Sequence, residues 1–231
     1  MKSRELIVAL DLEGEEARGL VRRLGPAVDF YKVPPAATLN DPRLIGWLLA
    51  RKKRVFLDCK WFDIPTQVRR SVEAAGRLGV TAVTLHAGAG RAVMSAALSA
   101  RPRPLVWGVT VLTSFGSEDL REVGLRVLPS VQVLRLARLA QRAGLDGLVC
   151  SPQEVASLRR AGIRLPLVTP GIQFGGLVGA DQKRTATPEK AWGAGANHLV
   201  VGRSILEAPD PAQVAREILE LGRRGSRKAK G

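Results

Sequence analysis

The chain has 231 residues, enough for one large domain or two small ones, and its 45% hydrophobic and 25% charged content are those of a soluble globular protein. No segment approaches the roughly 18 consecutive apolar residues of a membrane span, and the opening MKSRELIVALDL is too short for a signal-peptide core plus cleavage site. The formal net charge of +15 could indicate nucleic acid or an anionic substrate, but only one Tyr and five Phe are present, so no aromatic platform for stacking single strands is visible.

Taken in chain order, short β-rich runs alternate with Ala/Leu/Arg-rich stretches of helical period. The first run is LIVALD (6–11), followed by EEARGLVRRLG and then VDFYKV (28–33). RVFLDCK (54–60) leads into VRRSVEAAGRLG, and TAVTLHAG (81–88) into RAVMSAALSA. PLVWGVTVL (104–112) precedes VLRLARLAQRAG, and GLVCS (147–151), LPLVTPG (165–171) and HLVVGRS (198–204) complete the series. Gly25, Gly79, Gly144 and Gly162 stand where helix C-termini want a glycine. Strands that are apolar throughout are buried on both faces, which predicts a parallel sheet covered by helices.

Eight strand–helix cycles predict a single α/β domain, a (β/α)8 TIM barrel, over residues 1–221. A doubly wound open sheet is the runner-up, but ALDLEGEEA after the first strand supplies no GxGxxG turn. Residues 222–231 form a basic tail without apolar partners and are expected to be disordered. Basic groups elsewhere, as at Arg69-Arg70 and Arg159-Arg160, read as solvated faces, so neither nucleic acid nor membrane is an expected partner. Cys59 and Cys150 sit in apolar runs without metal spacing, which fits buried thiols in a reducing cytoplasm.

In a barrel of this kind, functional groups gather at the C-terminal ends of the strands. Those ends hold Asp11, Lys32, Asp58 with Lys60, His86, Thr110 with Thr113, Ser151, Thr169 with Gly171, and Gly202 with Arg203. The most informative stretch is FLDCKWFDIP (56–65). Side chains at i and i+2 share a strand face, so Asp58 and Lys60 point one way and Leu57 and Cys59 the other. Asp63 falls beyond the strand, in a loop closed by Ile64-Pro65. With Asp11 and Lys32, these residues make an alternating charged array. Carboxylates around Lys60 favour its charged ammonium, which suits a proton donor better than a Schiff-base nucleophile.

A second constellation combines TPGIQ (169–173), ADQKR (180–184) and VGRSI (201–205). Gly171 and Gly202 let backbone N–H groups approach an anion, and Arg203 adds a fork matched to phosphate oxygens. The end of strands seven and eight is where such barrels frequently hold phosphate. His86 reads as a hydrogen-bonded polar residue at the mouth, and His198 as structural, at the opposite end. No cluster has metal-ligand spacing.

FLDCKWFDIP closely resembles the DxKxxDIP motif of the orotidine 5′-phosphate decarboxylase family. The match continues in order through IVALD, YKV, LHAGAG, VTVLTS, TPGI, DQ…R…TP and VVGRSI, across nearly the whole chain. The resemblance implies decarboxylation of orotidine 5′-phosphate to UMP, the last step of de novo pyrimidine synthesis, by a cofactor-free homodimer with shared active sites. It makes Lys60 the proton donor, with Asp58 and Lys32 in the same site and Asp63 entering the neighbouring subunit's site. Asp11 and Lys32 would bind ribose hydroxyls, and Thr113 the pyrimidine edge. Gln182, Gly202 and Arg203 would hold the phosphate. Ile64, Thr66, Gln67 and Gln173 fall at further substrate-side positions, and two of them depart from the pattern. Gln173 stands for an arginine of PGIR, and Gln67 for a threonine in the segment after DIP. The Gly-rich stretch QFGGLVGADQ is the expected mobile cover. A magnesium-dependent sugar-phosphate lyase of the same superfamily and a basic phosphate- or RNA-binding barrel are the alternative readings.

Overall fold

The computed structural model describes residues 4–175 and 184–228, with side chains as far as Arg223. All eight expected strands form, and they close into one parallel barrel in which β1 pairs with both β2 and β8. In chain order the elements are β1 (Glu5–Ala9), α1 (Gly14–Leu24), β2 (Phe30–Val33), α2 (Pro35–Asn40), α3 (Leu44–Ala50), β3 (Arg54–Trp61) and α4 (Pro65–Leu78). There follow β4 (Ala82–His86), α5 (Arg91–Ser99), β5 (Leu105–Val109), α6 (Ser117–Glu122), α7 (Pro129–Ala143) and β6 (Gly147–Val149). The last are α8 (Val155–Arg160), β7 (Leu167–Thr169), α9 (Pro188–Ala194), β8 (His198–Val201), α10 (Arg203–Leu206) and α11 (Pro211–Lys228).

Strand alternation divides the apolar residues into two layers. Leu6 and Val8 face outward onto the helices, in a core that continues through Leu20, Val21 and Leu24 of α1. Ile7, Ala9, Phe30, Phe56, Ala82, Trp107, Val168 and Val200 form a separate cluster inside the barrel. Large and small side chains interlock there. A Cβ on Gly147 would lie 2.8 Å from Trp107 Cδ1, closer than packed carbon atoms come, so glycine is required opposite the indole. Removing the fully buried Trp107 side chain would cost about 3–5 kcal/mol.

The helices start and stop as their sequences dictate. Proline opens α4 and α7, where no N–H is needed, and Gly79 and Gly144 close them in left-handed geometry. Thr187 caps α9, its Oγ1 accepting the Lys190 N–H, and Gly195 ends that helix. The backbone of the basic tail continues α11 from residue 222 as far as Lys228, with no proline to interrupt it. Among the described residues, no helix is long and apolar enough to cross a membrane.

Candidate active site

The charged array gathers at the C-terminal mouth of the barrel, around a cavity bordered by Asp11, Lys32, Asp58 and Lys60. Phe56, Val149 and Val200 from the barrel interior give it an apolar floor, while Leu112, Thr113 and Gly171 border the other side. Asp11 lies two residues past β1 and Lys32 sits within β2; the Lys32 ammonium donates to Asp11 Oδ1 at 2.8 Å. The Lys60 ammonium donates to Asp58 Oδ2 at 2.6 Å. The array is therefore two lysine–carboxylate pairs on adjacent strands.

The second pair is not produced by plain alternation. The β3–β4 register slips between Leu57 and Trp61, and Lys60 takes φ 50°, a left-handed conformation uncommon for a residue with a Cβ. The bulge turns the Lys60 side chain back over Asp58. Thr84 of β4, fully buried, holds this geometry from the neighbouring strand. Its Oγ1 donates to Asp58 Oδ1 at 2.7 Å and accepts the Lys60 backbone N–H at 3.0 Å. Asp58 is only 7% exposed, so both oxygens of a desolvated carboxylate are engaged, one by a hydroxyl and one by a cation. Sequence reasoning missed Thr84. Its one signal is a polar residue in the apolar run AVTLH, two positions before the strand end.

Several expected residues lie elsewhere. Asp63, Ile64, Thr66 and Gln67 are exposed and do not border the cavity of their own chain; Asp63 Oδ1 accepts the Ile64 N–H at 2.7 Å. Pro65 starts α4 there, so Thr66 and Gln67 fall in its first turn. Gln173 borders an outer groove with Thr185, Thr187 and Lys190, and its N–H donates to the Ala186 carbonyl at 3.0 Å. Gly171 does border the mouth, with φ 81°, which suits glycine alone. Gly202 lies beside the Asp11–Lys32 pair: a Cβ there would sit 3.7 Å from Asp11 Oδ2. Arg203 follows as the exposed first residue of α10. Gln182, with the expected cover from residue 176 onward, lies outside the described residues.

Thr110 turns aside, donating to the Val149 carbonyl at 3.0 Å and bordering a neighbouring apolar groove with His86. His86 is half-buried with its ring against Phe62, at 6.0 Å between centroids. Burial, and then the charge of Lys60, push its pKa down and favour the neutral imidazole. Burial raises the Cys59 thiol to about 11 and the Cys150 thiol to about 12, so neither supplies a thiolate near neutral pH. Among the described residues, no group of three or more His, Cys, Asp or Glu is assembled as a metal site.

The model of the "Orotidine 5′-phosphate decarboxylase / HUMPS family" matches residues 4–218. The protein named orotidine 5′-phosphate decarboxylase in Actinobacillus succinogenes is 46% identical over 222 residues, covering 93% of this chain and 96% of that protein. Its namesake in Pseudomonas aeruginosa is 44% identical over 225 residues, covering 94% of this chain and 97% of its own. Among solved structures, the orotidine 5′-phosphate decarboxylase of Lactobacillus acidophilus superposes with a TM-score of 0.84 at 35% identity, over 95% of this chain and 99% of that one. On this match along most of its length, the chain belongs to the orotidine 5′-phosphate decarboxylase family.

Proposed function

We propose that this protein decarboxylates orotidine 5′-phosphate to UMP without a metal, and that Lys60 delivers the proton to C6 of the pyrimidine. The observation that carries this reading is the Lys60 ammonium, fixed 2.6 Å from a nearly buried Asp58 at the edge of an apolar-floored cavity. Loss of CO2 leaves an electron pair in the plane of the ring, where the π-system cannot delocalise it. A preorganised ammonium can stabilise that charge and then protonate the carbon. Asp58 holds Lys60 in place and lies toward the departing carboxylate.

Lys32 and Asp11 are matched to ribose hydroxyls, one as donor and one as acceptor. Gly202 and Arg203, at the end of β8, offer a backbone turn and a guanidinium to the phosphate, with Gln182 completing that end. Thr113 is assigned to the pyrimidine edge. Asp63 is assigned to a second copy's site in a two-fold homodimer; the exposure of its apolar neighbours Phe62 and Ile64, at 68% and 60%, supports that assignment.

Both mouth carboxylates already accept from lysine, so a divalent cation would have to compete with two ammonium groups for them. The test is the loss of orotidine 5′-phosphate absorbance with and without EDTA. Full turnover in chelator is expected. A strict magnesium requirement would favour a sugar-phosphate lyase, and no turnover in either condition would end the decarboxylase reading.

A further inference from the structure

We propose that Arg184 is a positioning residue for the pyrimidine end of the site, acting through the turn that carries Thr113; this rests on the decarboxylase reading. Arg184 lies far from Thr113 in sequence and is no part of the charged array. Its Nη2 donates to the Leu112 carbonyl at 2.7 Å and reaches the Val111 carbonyl at 3.3 Å. The Leu112 carbonyl also accepts the Phe115 N–H at 2.9 Å, closing the turn over 112–115. Leu112 and Thr113 both border the mouth cavity. One guanidinium therefore grips the carbonyl on which the Thr113 turn is built.

The guanidinium is itself held from behind. Its Nη1 pairs with Glu154 Oε1, and the two side chains are 14% and 7% exposed. Glu154 Oε2 accepts the Ser151 N–H at 3.0 Å, and Ser151 Oγ donates to the Arg184 carbonyl at 3.0 Å. These contacts form a closed ring that joins the ends of β5 and β6 to the segment entering α9. Burial pushes the Arg184 pKa down, and the Glu154 carboxylate lies directly against its guanidinium as the opposing charge. A planar fork can address Glu154 and two carbonyls together, and a lysine ammonium cannot do so with the same geometry.

The test measures steady-state kinetics with orotidine 5′-phosphate and amide hydrogen exchange of residues 113–115 in the intact protein. Arg184→Lys is expected to raise KM about tenfold with a smaller change in kcat, and to accelerate exchange across the turn. Thr113→Val is expected to raise KM similarly, and the double variant to be no worse than Thr113→Val alone, because one acts through the other. Combined with Arg203→Ala, at the phosphate end, the Arg184→Lys effect should multiply. Independent effects of Arg184→Lys and Thr113→Val overturn the proposal. So does a variant with lowered Tm but unchanged KM and exchange, which marks a purely structural strut. If Arg184→Lys does not fold, Glu154→Gln reads the same cycle, since its amide oxygen can still accept the Ser151 N–H while an uncharged NH2 replaces the oxygen that faces Arg184. A wild type that does not turn over orotidine 5′-phosphate overturns the underlying functional reading, and the exchange measurement, which needs no substrate, separates that outcome from failure of the strut.

Discussion

Both ends of the barrel carry buried or half-buried ion pairs, yet they are built for opposite purposes. At the N-terminal end, Arg54 spans two carboxylates: Glu5, at 3.2 and 3.3 Å, and Asp29, at 3.1 and 3.2 Å. His198 Nδ1 lies 3.2 Å from the same Glu5, with its ring beside Trp107. Arg54 also stacks over Phe30, 4.4 Å from the ring centroid. The fork is occupied on both sides, and a guanidinium does not release a proton near neutral pH. At the C-terminal mouth, the two carboxylates that border the cavity, Asp11 and Asp58, each meet a lysine instead. An ammonium is a point charge with three donors and a proton it can transfer. The same fold thus fills one end with an arginine fork and borders the cavity at the other with two lysines.

The largest effect should come from the reactive end. Lys60→Ala is expected to lower kcat by about three orders of magnitude or more in the protein that remains folded, with Tm lowered because the nearly buried Asp58 loses its cation. Near-native turnover would erase the distinction between the two ends. Mixing Lys60→Ala with Asp63→Ala sharpens it further, by asking whether the mouth is completed by a second chain. Random exchange makes half of the dimers mixed, each with one intact site of two, so recovery should approach about a quarter of wild-type activity. No recovery after verified subunit exchange would return Asp63 to its own chain.

Thr84→Val should have an intermediate effect, because it leaves both charges in place and removes the hydroxyl that sets their geometry. A fall in kcat of roughly 10–100-fold is expected, with recovery in Thr84→Ser. Equal losses in the Val and Ser variants would mean that packing, not the hydroxyl, matters. The smallest effect belongs to the closed end. Glu5→Gln should lower Tm by about 2–4 °C at neutral pH and leave kcat unchanged. The His198 hydrogen bond, opposed by burial and aided by Arg54, holds the Glu5 carboxyl below its ordinary 4.5. Its stabilisation is therefore complete above pH 4.5 and lost as the pH falls through the lowered folded value. The Tm gap between wild type and variant should close over that acidic range. A gap that widened there would reverse the assigned sign.

Much of the fold was legible because its signals are local. A run such as RVFLDCK announces a strand by composition and length, and a closing Gly such as Gly79 or Gly144 marks where the following helix must end. Lys32, Asp58 and Lys60 were legible for the same reason: each interrupts an apolar run at the end where barrels carry chemistry. The surroundings of Gln173 were not legible, because its position after β7 says nothing about which side of the β7–α9 connection its side chain takes. A lack of apolar residues does not by itself end a helix that has already formed, and α11 runs on past residue 222.

The sequence by itself determined eight buried strands, the polar character of their ends, and the DxKxxD spacing that begins on the third. Side-chain period and helix termination depend on neighbours a few residues apart, so those features need no knowledge of the rest of the chain. Tertiary structure alone decided the bulge that turns Lys60 onto Asp58, the Thr84 hydroxyl that holds both from β4, and the Arg184 grip on the Thr113 turn. It alone joined Glu5, Arg54 and His198 into the closed end. Apart from the Lys60–Asp58 pair itself, these contacts join residues 24 to 193 positions apart, and closing the barrel is what brings them together.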